Sequence, residues 1–128
     1  MFHQGRGNAI FTAALVLCVV ALFNGEAAEA ASFIVGDAKG WVFNVNDWPN
    51  GKSFKAGDTL VFNYNPKIHN VVVVKESSDF NSCKVPAGAT VFTSGKDQVA
   101  LVRGQNLFIC GTPGHCQSGL MKINVTAA

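Results

Sequence analysis

From Cys110 to Met121 the chain reads Cys-Gly-Thr-Pro-Gly-His-Cys-Gln-Ser-Gly-Leu-Met, which places a thiol, an imidazole and a thioether in one short stretch. A second histidine, His69, stands well upstream, just before the apolar run Val71 to Val74. Two imidazoles and a thiolate that meet in space, with a thioether as a weak and distant fourth donor, form a trigonal set that suits copper and its one-electron chemistry. Zinc is a poorer match, because its usual donors do not include a thioether. Cys110 and His115 also have the composition of a nucleophile and its base. No oxyanion element or orienting carboxylate accompanies them, so an enzyme is not expected. Each residue alone has a structural reading: a histidine at a strand edge, a buried thiol, a core-filling methionine. The weight lies in the combination, since residues 31–128 contain only two histidines and both belong to it.

Such donors need rigid elements to hold them, and the sequence offers short β-runs broken by Gly, Pro, Asn and Asp. Ser32 to Val35 and Thr59 to Tyr64 alternate, with Leu60, Phe62 and Tyr64 on one side. Val71 to Val74 is continuously apolar, as a strand covered on both faces would be. Gln98 to Val102, Leu107 to Cys110 and Lys122 to Val125 supply three more strands, with Gly104-Gln105 as a hairpin turn. Glu76 to Ser82 reads as a short helix capped by Ser77 or Ser78. Six or more strands in so short a stretch predict an all-β sandwich. Trp41, Trp48, Phe54, Phe62, Tyr64 and Phe108 are its expected core aromatics.

Residues 1–30 have the three parts of a secretory signal peptide and are set apart from the domain at 31–128. Arg6 provides the positive start, Ala9 to Phe23 the apolar stretch, and Ala28-Glu29-Ala30 the small-x-small cleavage site. The expected product is secreted and extracellular, in the apoplast or cell wall, with no membrane anchor because no hydrophobic tail precedes Ala128. Loss of Arg6, Glu26 and Glu29 leaves nine Lys and Arg against six Asp and Glu. The lysines are scattered, which argues against a nucleic-acid surface. A diffuse positive field would instead steer acidic partners or hold the protein against acidic cell-wall polymers. Three cysteines remain after the leader, Cys83, Cys110 and Cys116, an odd number for an oxidising compartment. One of them stays unpaired or is put to use. Asn124-Val125-Thr126 is a formal glycosylation acceptor inside an expected strand.

An ordered set of segments runs through the domain: Val-Gly-Asp-Ala-Lys-Gly-Trp at 35–41, Trp48-Pro49, Phe54 to Asp58, Phe62 to Pro66 leading to His69-Asn70-Val71-Val72, Phe92-Thr93-Ser94-Gly95, and Gly104-Gln105 leading to Phe108-Ile109-Cys110. In this order they resemble the plantacyanins, in the phytocyanin branch of the cupredoxins. The resemblance implies a cupredoxin Greek-key sandwich and a Cys83–Cys116 disulfide that leaves Cys110 as the metal thiolate. It also implies one type 1 copper ion on His69, Cys110 and His115, and an Asn70 that supports the site by donating to the cysteine sulfur.

At one place the chain departs from the family pattern. Plantacyanins put the axial methionine five residues after the loop histidine, and that position is Leu120, with Met121 one later. Counting forward from His115 makes Leu120 the axial neighbour. Counting backward from the last strand keeps Met121 in register, because a one-residue slip would turn Ile123 and Val125 to the wrong face. On that reading Met121 is the ligand and Gly119 absorbs the insertion as a bulge. The expectation is a monomeric, secreted one-electron carrier that exchanges electrons with a redox partner protein or small reductant the sequence does not identify. The alternative is an extracellular signalling or cell-wall interaction protein in which copper is structural or dispensable.

Overall fold

The computed structural model describes residues 29–128, so all but the last two residues of the expected leader lie outside the described part. Among these residues no helix is long and apolar enough to cross a membrane. The strands are β1 Ser32–Ile34, β2 Thr59–Asn63, β3 Val71–Val74, β4 Thr90–Phe92, β5 Lys96–Ala100, β6 Gly104–Ile109 and β7 Lys122–Ala127. A 3-10 turn covers Asp37–Lys39, and one short helix, α1, covers Ser77–Ser82.

The strands form two sheets, in the orders β1-β2-β5 and β4-β3-β6-β7. β1 runs parallel to β2, and the other pairs are antiparallel. The alternation in β2 sends Leu60 and Phe62 inward and leaves Thr59, Val61 and Asn63 half-buried. Opposite them the second sheet contributes Val71, Phe108, Ile123 and Val125, and together these residues form one core. Phe62 and Phe108 meet across it with ring centroids 5.1 Å apart. Trp41 packs edge-on against Phe62 at 5.1 Å. The expected aromatics thus belong to this core, with Trp48 and Tyr64 only partly buried.

A second, smaller cluster explains the unbroken apolar run of β3. Val72 and Val74 face away from the main core and pack with Leu107, Ile109 and Cys116 under Phe80 and Cys83. Helix α1 is therefore a cover for the outer face of the second sheet. Its expected serine cap is not formed. Glu76 occupies the N-cap position with no side-chain cap bond, and the hydroxyl of Ser77 reaches toward Gln105 instead.

Strand boundaries shift from expectation by one to three residues, one strand is unexpected, and one topological reading is corrected. β5 begins at Lys96 rather than Gln98, and β4, short and largely exposed, has no apolar pattern to announce it. Gly104 and Gln105 make no hairpin turn; they open β6, and β5 and β6 lie in different sheets. The chain crosses the sandwich through Leu101 to Arg103. Leu101 is buried and Asn106 closes the corner, accepting from Val102 N–H at 3.0 Å and donating to the Val102 carbonyl at 2.8 Å. Such sheet-to-sheet connections characterise Greek-key sandwiches.

Candidate metal centre

His69 is delivered by the connection from β2 to β3. Pro66 cannot donate to a ladder, and the chain turns on Asn65. Its carbonyl accepts from the N–H of Ile68 at 3.2 Å and of His69 at 3.0 Å, while its Oδ1 accepts from Lys67 N–H at 3.0 Å. Distant segments hold both flanks of the histidine. Thr112 Oγ1 donates to the Ile68 carbonyl at 2.9 Å, and the Trp41 indole N–H donates to the Asn70 carbonyl at 2.8 Å.

Cys110, His115 and Met121 come from one hairpin between β6 and β7, stitched by its own backbone. Cys110 N–H donates to the Met121 carbonyl at 2.9 Å, Met121 N–H to the His115 carbonyl at 3.0 Å, and His115 N–H to the Thr112 carbonyl at 3.1 Å. Cys116, next to His115, is bonded to Cys83, and Cys110 is the free and buried thiol. Asn70 links the two ligand-bearing loops through its side chain. Its Oδ1 accepts from Gly111 N–H at 2.6 Å. The side chain is committed to the peptide after the cysteine, so it fixes the sulfur's position through the backbone.

The donor atoms converge. His69 Nδ1 and His115 Nδ1 are 3.0 Å apart, and Cys110 Sγ lies 3.8 Å from the first and 3.7 Å from the second. A first-row transition metal bonds imidazole nitrogen at about 2.0 Å and thiolate sulfur at about 2.3 Å, so donors around one ion stand roughly 3 to 4 Å from each other. All three separations meet that requirement. His69 and Cys110 are buried and His115 is half-exposed. Burial, and then repulsion from His115, hold the His69 imidazole below its ordinary pKa, which favours the neutral form that ligates metals. One apolar and two nitrogenous rings meet at the surface: Phe43 stands edge-on to His69 at 5.2 Å and to His115 at 4.7 Å.

The structure separates the roles of the residues around the insertion. Leu120 takes a left-handed backbone with φ of 50° and is 39% exposed, whereas Met121 is fully buried on the core side. The left-handed backbone thus falls at Leu120, and Gly119, where the bulge was expected, does not have a positive φ. Gly119 serves close approach: a Cβ there would lie 2.5 Å from the His115 carbonyl oxygen and 2.5 Å from Phe43 Cδ1. Beside it Asn44 N–H donates to the Gly119 carbonyl at 2.7 Å, which anchors the Phe43 segment to the ligand hairpin. Phe43 is the site residue that sequence reasoning missed. In Trp41-Val42-Phe43-Asn44 it looks like one more core aromatic, and nothing local reports that this loop folds over the histidines.

Residues 38–120 match the family model described as a plastocyanin-like domain. The chain is 50% identical to the basic blue protein of Arabidopsis thaliana, over 97% of this chain and 98% of the relative. It is 53% identical to the chemocyanin of Lilium longiflorum, over 98% of each. Among solved structures, cucumber basic protein, described as a blue copper protein, superposes with a TM-score of 0.73 at 58% identity, covering 76% of this chain and 99% of that one.

Proposed function

From a chain that belongs to the plastocyanin-like family, with the cupredoxin fold of its solved relatives, we propose a type 1 copper protein that carries single electrons. His69, Cys110 and His115 would hold the ion, with the buried Met121 as the weak axial donor. Bound copper supplies the one-electron couple. The protein contributes a buried and pre-assembled donor set, fixed by bonds that do not depend on the metal, so little has to move when the charge changes. The half-exposed His115 beside Phe43 gives the site a contact point at the surface, where a partner protein or small reductant would deliver or collect the electron. We take the protein to act as a secreted monomer and not as an enzyme.

The observation that carries this reading is the convergence of two imidazole nitrogens and one thiol sulfur within 4 Å of one another. Loading the purified protein with one equivalent of Cu(II) tests it. An intense blue sulfur-to-copper charge-transfer band, a type 1 paramagnetic-resonance spectrum and reversible one-electron voltammetry are expected. A colourless protein with stoichiometric Cu(II) would overturn the assignment.

A further inference from the structure

We propose that Asp58 is the receptor for a new amino terminus at Ala31, created when the leader is cut between Ala30 and Ala31. Ala31 N lies 2.9 Å from Asp58 Oδ1, and the Ala31 carbonyl accepts from Thr59 N–H at 2.9 Å. Residue 31 is thus clamped on both sides before β1 begins. Asp58 is only 4% exposed, and its other oxygen accepts from Lys55 N–H at 2.8 Å.

In the uncut chain both donors are neutral peptide groups; they already favour the charged carboxylate, and positive charge beside it would add a Coulombic attraction. The groups around it do little to supply that charge. Lys55 acts on Asp58 from an exposed position. From β5 onward Leu101 offers only backbone, its N–H donating to the Asp58 carbonyl and its carbonyl accepting from Gly57. Ala128 likewise presents a backbone oxygen to Ala56 N–H. The missing cation is latent in the chain. Ala28-Glu29-Ala30 directs cleavage to the bond whose nitrogen already touches Asp58. Water adds across the Ala30–Ala31 amide, leaving a carboxylate on Ala30 and an ammonium on Ala31. The same nitrogen then changes from a neutral donor to a charged one without relocation, and a hydrogen bond becomes an ion pair.

The inference rests on the secreted reading above, and its pH signature is specific. An α-amine paired with a carboxylate has a raised pKa, so its contribution is complete below about pH 7.7 and is lost as pH rises through the raised value. Asp58 is held below the ordinary carboxylate range by the Ala31 and Lys55 N–H groups. Its contribution is lost only as pH falls through that lowered value.

The test compares the secreted chain beginning at Ala31 with a chain beginning at Glu29, in which nitrogen 31 remains an amide. At pH 6 the Ala31 chain is expected to melt about 4 to 8 °C higher, the shift one ordinary stabilising interaction gives a domain of about 100 residues. The gap should close near pH 11 and vanish when both chains carry Asp58→Asn. Should Asp58→Asn fail to fold, Nα-acetylation of the Ala31 chain supplies the neutral control and should lower its midpoint to that of the longer chain. Equal midpoints at pH 6, a gap that survives in the Asp58→Asn pair, or a secreted product that starts elsewhere would overturn the proposal. The Cu(II) spectrum is expected to be the same for both chains, so loss of blue colour would count against the copper reading alone.

Discussion

Cys110 illustrates how much one atom carries. It is the free, buried thiol that faces both imidazoles, and Cys110→Ser replaces the soft sulfur by a poor charge-transfer donor. The variant is expected to fold and to lose the blue band, which absorption spectroscopy with added Cu(II) checks. The neighbouring insertion gives a finer test. Since Leu120 turns outward in a left-handed conformation, deleting it restores the family spacing and should leave the spectrum little changed. With Met121 as the proposed axial donor, Met121→Leu removes a ligand that favours Cu(II) over Cu(I), so the reduction potential should rise. Voltammetry on both variants checks the pair, and an unmoved potential in Met121→Leu removes Met121 from the ligand set. Most of this site was legible because its chemistry is written in rare residues: two histidines and an odd cysteine after the leader. Gly119 and Phe43 were not legible in the same way, because a close approach between two loops leaves no mark on either one. Gly119→Ala brings a methyl against backbone and ring together, and should destabilise the protein by about 1 to 3 kcal/mol while weakening copper retention.

Among the elements, the ligand hairpin is held from outside as well as from within. The Cys83–Cys116 bridge ties the residue after His115 to the end of α1, across a sequence separation of 33. A cross-link of that span stabilises by roughly 3 to 4 kcal/mol in the chain-entropy model. Replacing both cysteines by alanine should therefore lower stability by about 2 to 5 kcal/mol in denaturant titration, with the blue band retained because Cys110 is untouched. On the opposite side Tyr64 secures the turn that carries His69. Its hydroxyl bonds Asp97 and lies 3.1 Å from the Phe92 carbonyl, and Ser94 Oγ donates to the other Asp97 oxygen at 2.6 Å. Burial, followed by that carboxylate, pushes the phenol up to about 12. This network was invisible in advance because Tyr64 just follows β2, Phe92 ends β4, Ser94 lies in the turn after it and Asp97 belongs to β5, and no apolar pattern announces β4. β2 and β3 stood out by pattern, whereas β4, with its exposed face, did not.

On the scale of the whole molecule, the sandwich class followed from the count of short strands, but their pairing did not. Gly104-Gln105 has the composition of a hairpin turn, and local chemistry alone would join β5 to β6. The choice is made instead by burial: Leu101 and Asn106 are drawn into the corner as the chain changes sheets, and β6 takes the central place between β3 and β7. That central strand ends at Ile109, one residue before Cys110, so the core and the thiolate share one support. The architecture also determines how the protein should respond to metal removal. The ligand loops are joined by Asn70 to Gly111, Trp41 to Asn70 and Met121 to His115, none of which needs an ion. Loss of copper should therefore leave the far-ultraviolet circular dichroism unchanged, since no strand depends on the ion. Stability should still fall, because a ligand that binds only the folded state adds RT ln(1 + [L]/Kd), about 2.7 kcal/mol at a free concentration of 100 Kd. Thermal unfolding of the loaded and chelator-stripped protein checks both parts. A collapse of secondary structure on stripping would show that the metal builds the site, whereas the bonds described above require that the site awaits the metal.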